Sequence, residues 1–110
     1  MGKITGKFLI LATAAILTAC GQESAIQKAV RGSLKDPESA KFGEHAVLND
    51  KFACITVNAK NSMGGYTGNQ QALLAKKDGE WIVAEIDQMG FDECKRLMNR
   101  LNEELSKKEK

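Results

Sequence analysis

Residues 70–87 read QQALLAKKDGEWIVAEID. Two strand-like runs, 70–77 and 80–87, flank Asp78-Gly79. An Asp-Gly pair supplies the two left-handed residues of a tight hairpin turn, so this stretch reads as an antiparallel hairpin. Alternation along the second run puts Trp81 and Val83 on one face with Glu85, and Ile82, Ala84 and Ile86 on the other.

Working outward, residues 60–69 (KNSMGGYTGN) have loop chemistry throughout. Before them, residues 52–59 (FACITVNA) alternate, with Phe52, Cys54 and Thr56 on one face and Ala53, Ile55 and Val57 on the other. Both faces are apolar enough for a central strand. Asn49-Asp50-Lys51 is a turn, and residues 45–48 form a short strand ahead of it. Asp36-Pro37-Glu38 predicts a helical turn ending near Phe42, with Asp36 as cap and Pro37 in the first helical position. Residues 24–35 place Ala25/Ile26, Ala29/Val30 and Leu34 on one helical face, with Ser24 as N-cap.

At the other end, Cys94, Leu97, Met98, Leu101 and Leu105 form an apolar stripe on a helix from about Asp92 to Ser106. Asp92 is its expected N-cap, and residues 107–110 are expected to fray. The order helix, strands, helix predicts an α+β domain over residues 24–106. Its small antiparallel sheet has three to four strands, with N- and C-terminal helices packed on one face. A chain of 110 residues leaves room for one such domain.

The N-terminus reads as an address. Lys3 and Lys7 precede an apolar run, residues 8–19 (FLILATAAILTA), that is short for a membrane span. Leu17-Thr18-Ala19-Cys20 resembles the lipobox of bacterial lipoproteins. The resemblance implies a signal peptide over residues 1–19, cleavage by signal peptidase II, and acylation of Cys20 with chains such as palmitate. Residues 20–23 would then be the lipidated cysteine and a short tether. The bilayer is the partner this implies. Gly21 after the cysteine, by the sorting rule of enteric bacteria, implies the outer membrane, facing the periplasm. The competing reading is an ordinary signal peptide with an incidental cysteine.

Processing removes Lys3 and Lys7 and leaves 14 basic against 14 acidic side chains, where the full chain carries a formal +2. A balanced domain offers no field for nucleic acid. With Cys20 committed to lipid, Cys54 and Cys94 remain, and an even pair in an oxidising compartment predicts one disulfide. The loop-entropy model gives such a closure about 4 kcal/mol. The alternative, a reactive or metal-binding pair, lacks a CxxC spacing and has only His45 as an imidazole.

Loop 60–69 is the candidate partner-binding site, with Tyr66 as the contact and Asn61 and Lys60 in support. Gly64, Gly65 and Gly68 allow backbone shapes closed to other residues, and an exposed Tyr offers area with a hydrogen-bonding tip. Such a loop suits an envelope protein or a glycan. The competing reading is a hairpin connection whose Tyr folds back on the domain. No Gly-Lys-Ser/Thr follows the glycines, so it is not a phosphate-binding loop.

Enzyme chemistry is not expected. His45 is the one residue of a type that can act as a base near neutral pH, and the cysteines it would activate are expected to be oxidised. Glu85 with Asp87, and Glu103 with Glu104, do not converge on a substrate. Met63, Met89 and Met98 form no metal cluster in the sequence, and no cofactor is expected.

Residues 34–42 (LKDPESAKF) and 57–68 (VNAKNSMGGYTG) resemble small uncharacterised exported proteins and lipoproteins of Gram-negative bacteria and their prophages. By analogy this resemblance implies a binding role of the superinfection-exclusion type. The alternatives are an inhibitor of an envelope hydrolase such as lysozyme, and a structural envelope lipoprotein.

Overall fold

The computed structural model describes residues 21–108. The expected signal peptide and Cys20 lie outside them, as do residues 109 and 110. Four strands form one antiparallel meander: β1 (Lys41–Leu48), β2 (Phe52–Asn58), β3 (Gln70–Lys77) and β4 (Glu80–Asp87), in that spatial order. Helix α1 covers residues 21–31, and α2 is Phe91–Lys108. The fold is α+β, as expected.

Both tight hairpins have the predicted chemistry. Asn49 and Asp50 adopt φ of 53° and 55°, and Lys51 N donates to Leu48 O at 3.0 Å. Asp78 and Gly79 adopt φ of 52° and 83°. Two successive left-handed residues match the twist of the strands they join.

The helices lie on opposite faces of the sheet, not on one. Ile26 and Val30 of α1 are fully buried against Ala53, Ile55 and Val57 of β2 and Ala72 and Leu74 of β3. Cys94 and Met98 of α2 pack with Cys54 of β2 and Leu73 of β3. Alternation sends Cys54 and Leu73 to the face opposite their neighbours. Two central strands apolar on both sides need a cover on each, and one helix provides each cover. Burying a side chain such as Ile26 or Val30 contributes about 1.5–3 kcal/mol.

Both edge strands carry irregularities that the alternation pattern concealed. In β4 the register steps from Leu73↔Glu85 to Leu74↔Val83, so Ala84 is an extra residue. The bulge reverses the parity beyond it, and Ile86 joins Trp81 and Val83 against the α1 core rather than opposing them. In β1 the register shifts between Phe42 and His45. A Cβ on Gly43 would stand 3.2 Å from the Cβ of Thr56, so glycine fits this close approach. β1 is therefore twice the length read from residues 45–48, because the bulge interrupts its pattern.

Helix boundaries also move. α1 includes residues 21–23, which places Ser24 inside the helix rather than at its cap. It closes with Ser33 N donating to Val30 O and Leu34 N to Arg31 O, the tighter bonds of a terminal turn. Pro37–Ser39 is a single 3-10 turn. Asp36 makes no side-chain cap there, and its carbonyl instead accepts Ser39 Oγ at 2.7 Å. α2 starts at Phe91, one residue before its expected cap Asp92, and remains helical through Lys108. Its buried residues are Cys94 and Met98 alone. Leu101, expected in the core stripe, is 41% exposed.

Candidate functional site

The segment after β2 continues as a narrowing hairpin. Thr67 N donates to Ala59 O at 3.1 Å, Lys60 bridges Tyr66, and Asn61 N donates to Gly65 O at 2.9 Å. Asn61 Oδ1 accepts the amides of Met63 and Gly65 at 2.9 and 3.2 Å. Asn58 Oδ1 accepts Gly68 N at 3.1 Å. Gly64 and Gly68 have φ of 83° and 91°, a region that side chains disfavour. The two asparagines thus hold the loop in shape, and Met63, 92% exposed, forms its tip.

Tyr66 folds back toward the 3-10 turn. Its hydroxyl donates to Ser39 O at 3.3 Å, and Ser39 Oγ accepts Lys60 N at 2.8 Å. The ring stays 43% exposed. Lys41 Nζ lies 4.8 Å from the ring centroid and Lys60 Nζ 5.6 Å. Among the described residues, neither ammonium group has a carboxylate within 4.0 Å. Of the three residues chosen from the sequence, Tyr66 and Lys60 come together, while the Asn61 side-chain oxygen is taken up by the turn. Lys41 was not legible. It arrives through the pairing Lys41↔Asn58, and only that register brings β1 beside the loop.

The opposite end of the sheet has a different character. Gln22 Nε2 of α1 donates to Asp50 Oδ1 at 2.6 Å, and Lys76 Nζ reaches the same oxygen at 3.0 Å. Lys76 also lies over the Trp81 ring at 5.3 Å. An open groove of about 620 Å³ is lined here by Gly21, Ala25, Val47, Gly79 and Trp81 among others. Residue 21 therefore sits with the two hairpin turns. Loop 59–69 joins the far ends of β2 and β3, about 20 Å away by the rise per residue of a strand.

Cys54 and Cys94 are disulfide-bonded, with Cα atoms 6.1 Å apart, and both are fully buried. His45 pairs with Ile55, on the α1 face, and stands 4.0 Å from Glu23. Cys54 points to the α2 face, so the sheet separates the imidazole from the sulfurs. Among the described residues no three His, Cys, Asp or Glu side chains group as metal ligands. None of their helices is long and apolar enough to cross a membrane.

No protein-family model matches the chain, and neither curated proteins nor solved structures show a significant match.

Proposed function

We propose that this is a non-enzymatic, lipid-anchored protein of the bacterial envelope that binds a partner through the Tyr66 loop. In this reading Cys20 carries the acyl chains, at the outer membrane facing the periplasm. The observation that supports it is the polarity of the domain. Gly21, which follows the lipobox cysteine, lies at the hairpin-turn end with Asp50 and Gly79, and Tyr66 lies at the other. An anchor entering at one end directs the other away from the bilayer. Each buried acyl CH₂ contributes about 0.8 kcal/mol, so several chains hold the domain durably.

The disulfide-stapled domain then serves as a rigid stand for the loop. A role of the superinfection-exclusion type, drawn from the resemblance to prophage lipoproteins, uses the same arrangement. The test places a photo-reactive amino acid at position 66, and separately at 61 and 63, in cells carrying the full chain. One dominant product from position 66 supports the reading, and empty lanes at all three positions return the loop to a plain connection. Cys20→Ser is expected to move the protein from the membrane to the soluble fraction, and continued membrane association would remove the anchor.

The exposed Met63 at the loop tip favours one second reading, insertion into the cleft of an envelope hydrolase such as lysozyme. Protection of lysozyme-treated cell walls by the domain, lost in Met63→Asp, would support it. Absence of protection against every lysozyme type would eliminate it.

A further inference from the structure

The Tyr66 end brings two like charges to one ring, and among the described residues neither has a carboxylate within 4.0 Å. Lys41 and Lys60 come from different strands, yet both ammonium groups lie within 6 Å of one ring centroid. The distance between the two Nζ atoms therefore cannot exceed the sum of those separations. Two cations so placed repel each other, and the electron-rich ring face offsets part of that cost. An anion that reaches both would offset more. At the loop tip beside them the backbone is open: a Cβ on Gly64 or Gly65 would meet nothing within 4 Å.

The apolar side chains exposed on this loop are Met63 and Tyr66; the other large exposed ones, Val47, Ile82 and Leu101, lie on the strands and α2. A protein interface of ordinary size buries some 800 Å² per partner around a few aromatic or arginine anchors seated in pockets. A saccharide needs less. Its apolar ring face stacks on one aromatic side chain, and its polar rim takes hydrogen bonds.

We infer that the Tyr66 end recognises an acidic saccharide, with the sugar face against the exposed part of the Tyr66 ring and its carboxylate or phosphate groups on Lys41 and Lys60. This rests on the proposed role of the loop and names the chemistry of its partner. Lys41 is a binding residue in this arrangement, and the hydrogen bond from Tyr66 to Ser39 holds the ring in place. The acidic group need not be the same in each ligand, because ammonium groups read charge rather than geometry.

The experiment titrates the full chain in neutral detergent with trigalacturonic acid, with galactotriose as the uncharged control of similar size. Trigalacturonic acid is expected to bind, and galactotriose about tenfold more weakly or not at all. The double variant Lys41→Gln/Lys60→Gln is expected to lose about tenfold in affinity while melting at the wild-type temperature. Raising sodium chloride from about 50 to about 300 mM should weaken the wild type and leave the double variant nearly unchanged. Equal binding of the two sugars, no binding of the acidic one, or an unaffected double variant would each overturn the inference. So would tighter binding of hexaglutamate than of trigalacturonic acid, which would indicate an acidic peptide.

Cross-linking in cells from position 66 separates the two levels of the argument. A cross-linked protein product unchanged by Lys41→Gln/Lys60→Gln overturns the saccharide and leaves the loop as a contact site. Empty cross-linking with no sugar bound removes both.

Discussion

The hydroxyl of Tyr66 donates to the carbonyl of Ser39, 27 residues earlier in the chain, while Ser39 Oγ accepts the backbone amide of Lys60. One serine thus ties both sides of the loop hairpin to the turn that precedes β1. The loop is long and rich in glycine, yet its Tyr is held against the domain.

Ser39→Ala removes two part-buried hydrogen bonds, from Lys60 N to Oγ and from Oγ to Asp36 O, and is expected to cost about 1–3 kcal/mol. Denaturant unfolding measures the loss. Hydrogen exchange at the Lys60 amide should rise more than at amides in β3, and uniform change across the domain would show that Ser39 does not hold the loop.

Removing the disulfide by Cys54→Ala/Cys94→Ala is expected to lower stability by about 4 kcal/mol in the loop-entropy model. The α2 core is small, built on Leu73 and Met98 beside the cysteines, so α2 should loosen before the α1 side does. Denaturation with and without reductant tests this. A midpoint unmoved by reductant would mean that the crosslink contributes nothing to stability.

Met98 and Leu101 occupy the same apolar stripe of α2 but differ in burial, at 4% and 41% exposure. Met98→Ala should cost about 2–4 kcal/mol through lost transfer and a residual cavity. Leu101→Ala should cost less than about 1 kcal/mol. Paired thermal melts decide it, and equal losses would place Leu101 in the core.

Gly43→Ala tests the β1 bulge. The added Cβ meets the Thr56 Cβ and Cγ2 at 3.2 and 3.3 Å, closer than ordinary contact. Thr56 or strand β1 must give by a few tenths of an ångström, and the expected cost of overpacking is about 1–3 kcal/mol. Because Lys41 precedes the bulge, the same substitution should change the chemical shifts of the Tyr66 ring. A stable variant with an unmoved ring spectrum would disconnect the bulge from the site.

Much of this fold was legible because local chemistry agreed with the final structure. Asp78-Gly79 and Asn49-Asp50 announce their turns, since few residue pairs tolerate two positive φ angles in succession. Residues 52–59 read as a central strand from apolar character on both faces, and β2 runs over Phe52–Asn58 in the middle of the sheet. Apolar character on both faces calls for a cover on each, whereas the order helix, strands, helix by itself predicts both helices on one face. β1 was half-legible, because an irregular residue breaks the period of two on which strand reading depends. Within the site, Lys60 and Tyr66 were visible as loop residues. Lys41 was not, since sequence position says nothing of a neighbour across a register.

The sequence by itself determined which segments pair locally, where the chain turns, and that Cys54 and Cys94 were the candidates for one disulfide. Those properties follow from backbone preferences and residue chemistry within a few positions. Only the tertiary structure decided that α1 and α2 cover opposite faces, that bulges reverse the parity of both edge strands, and that two lysines share one tyrosine ring. Each depends on register, and register is set by the packing of the whole sheet rather than by any one segment.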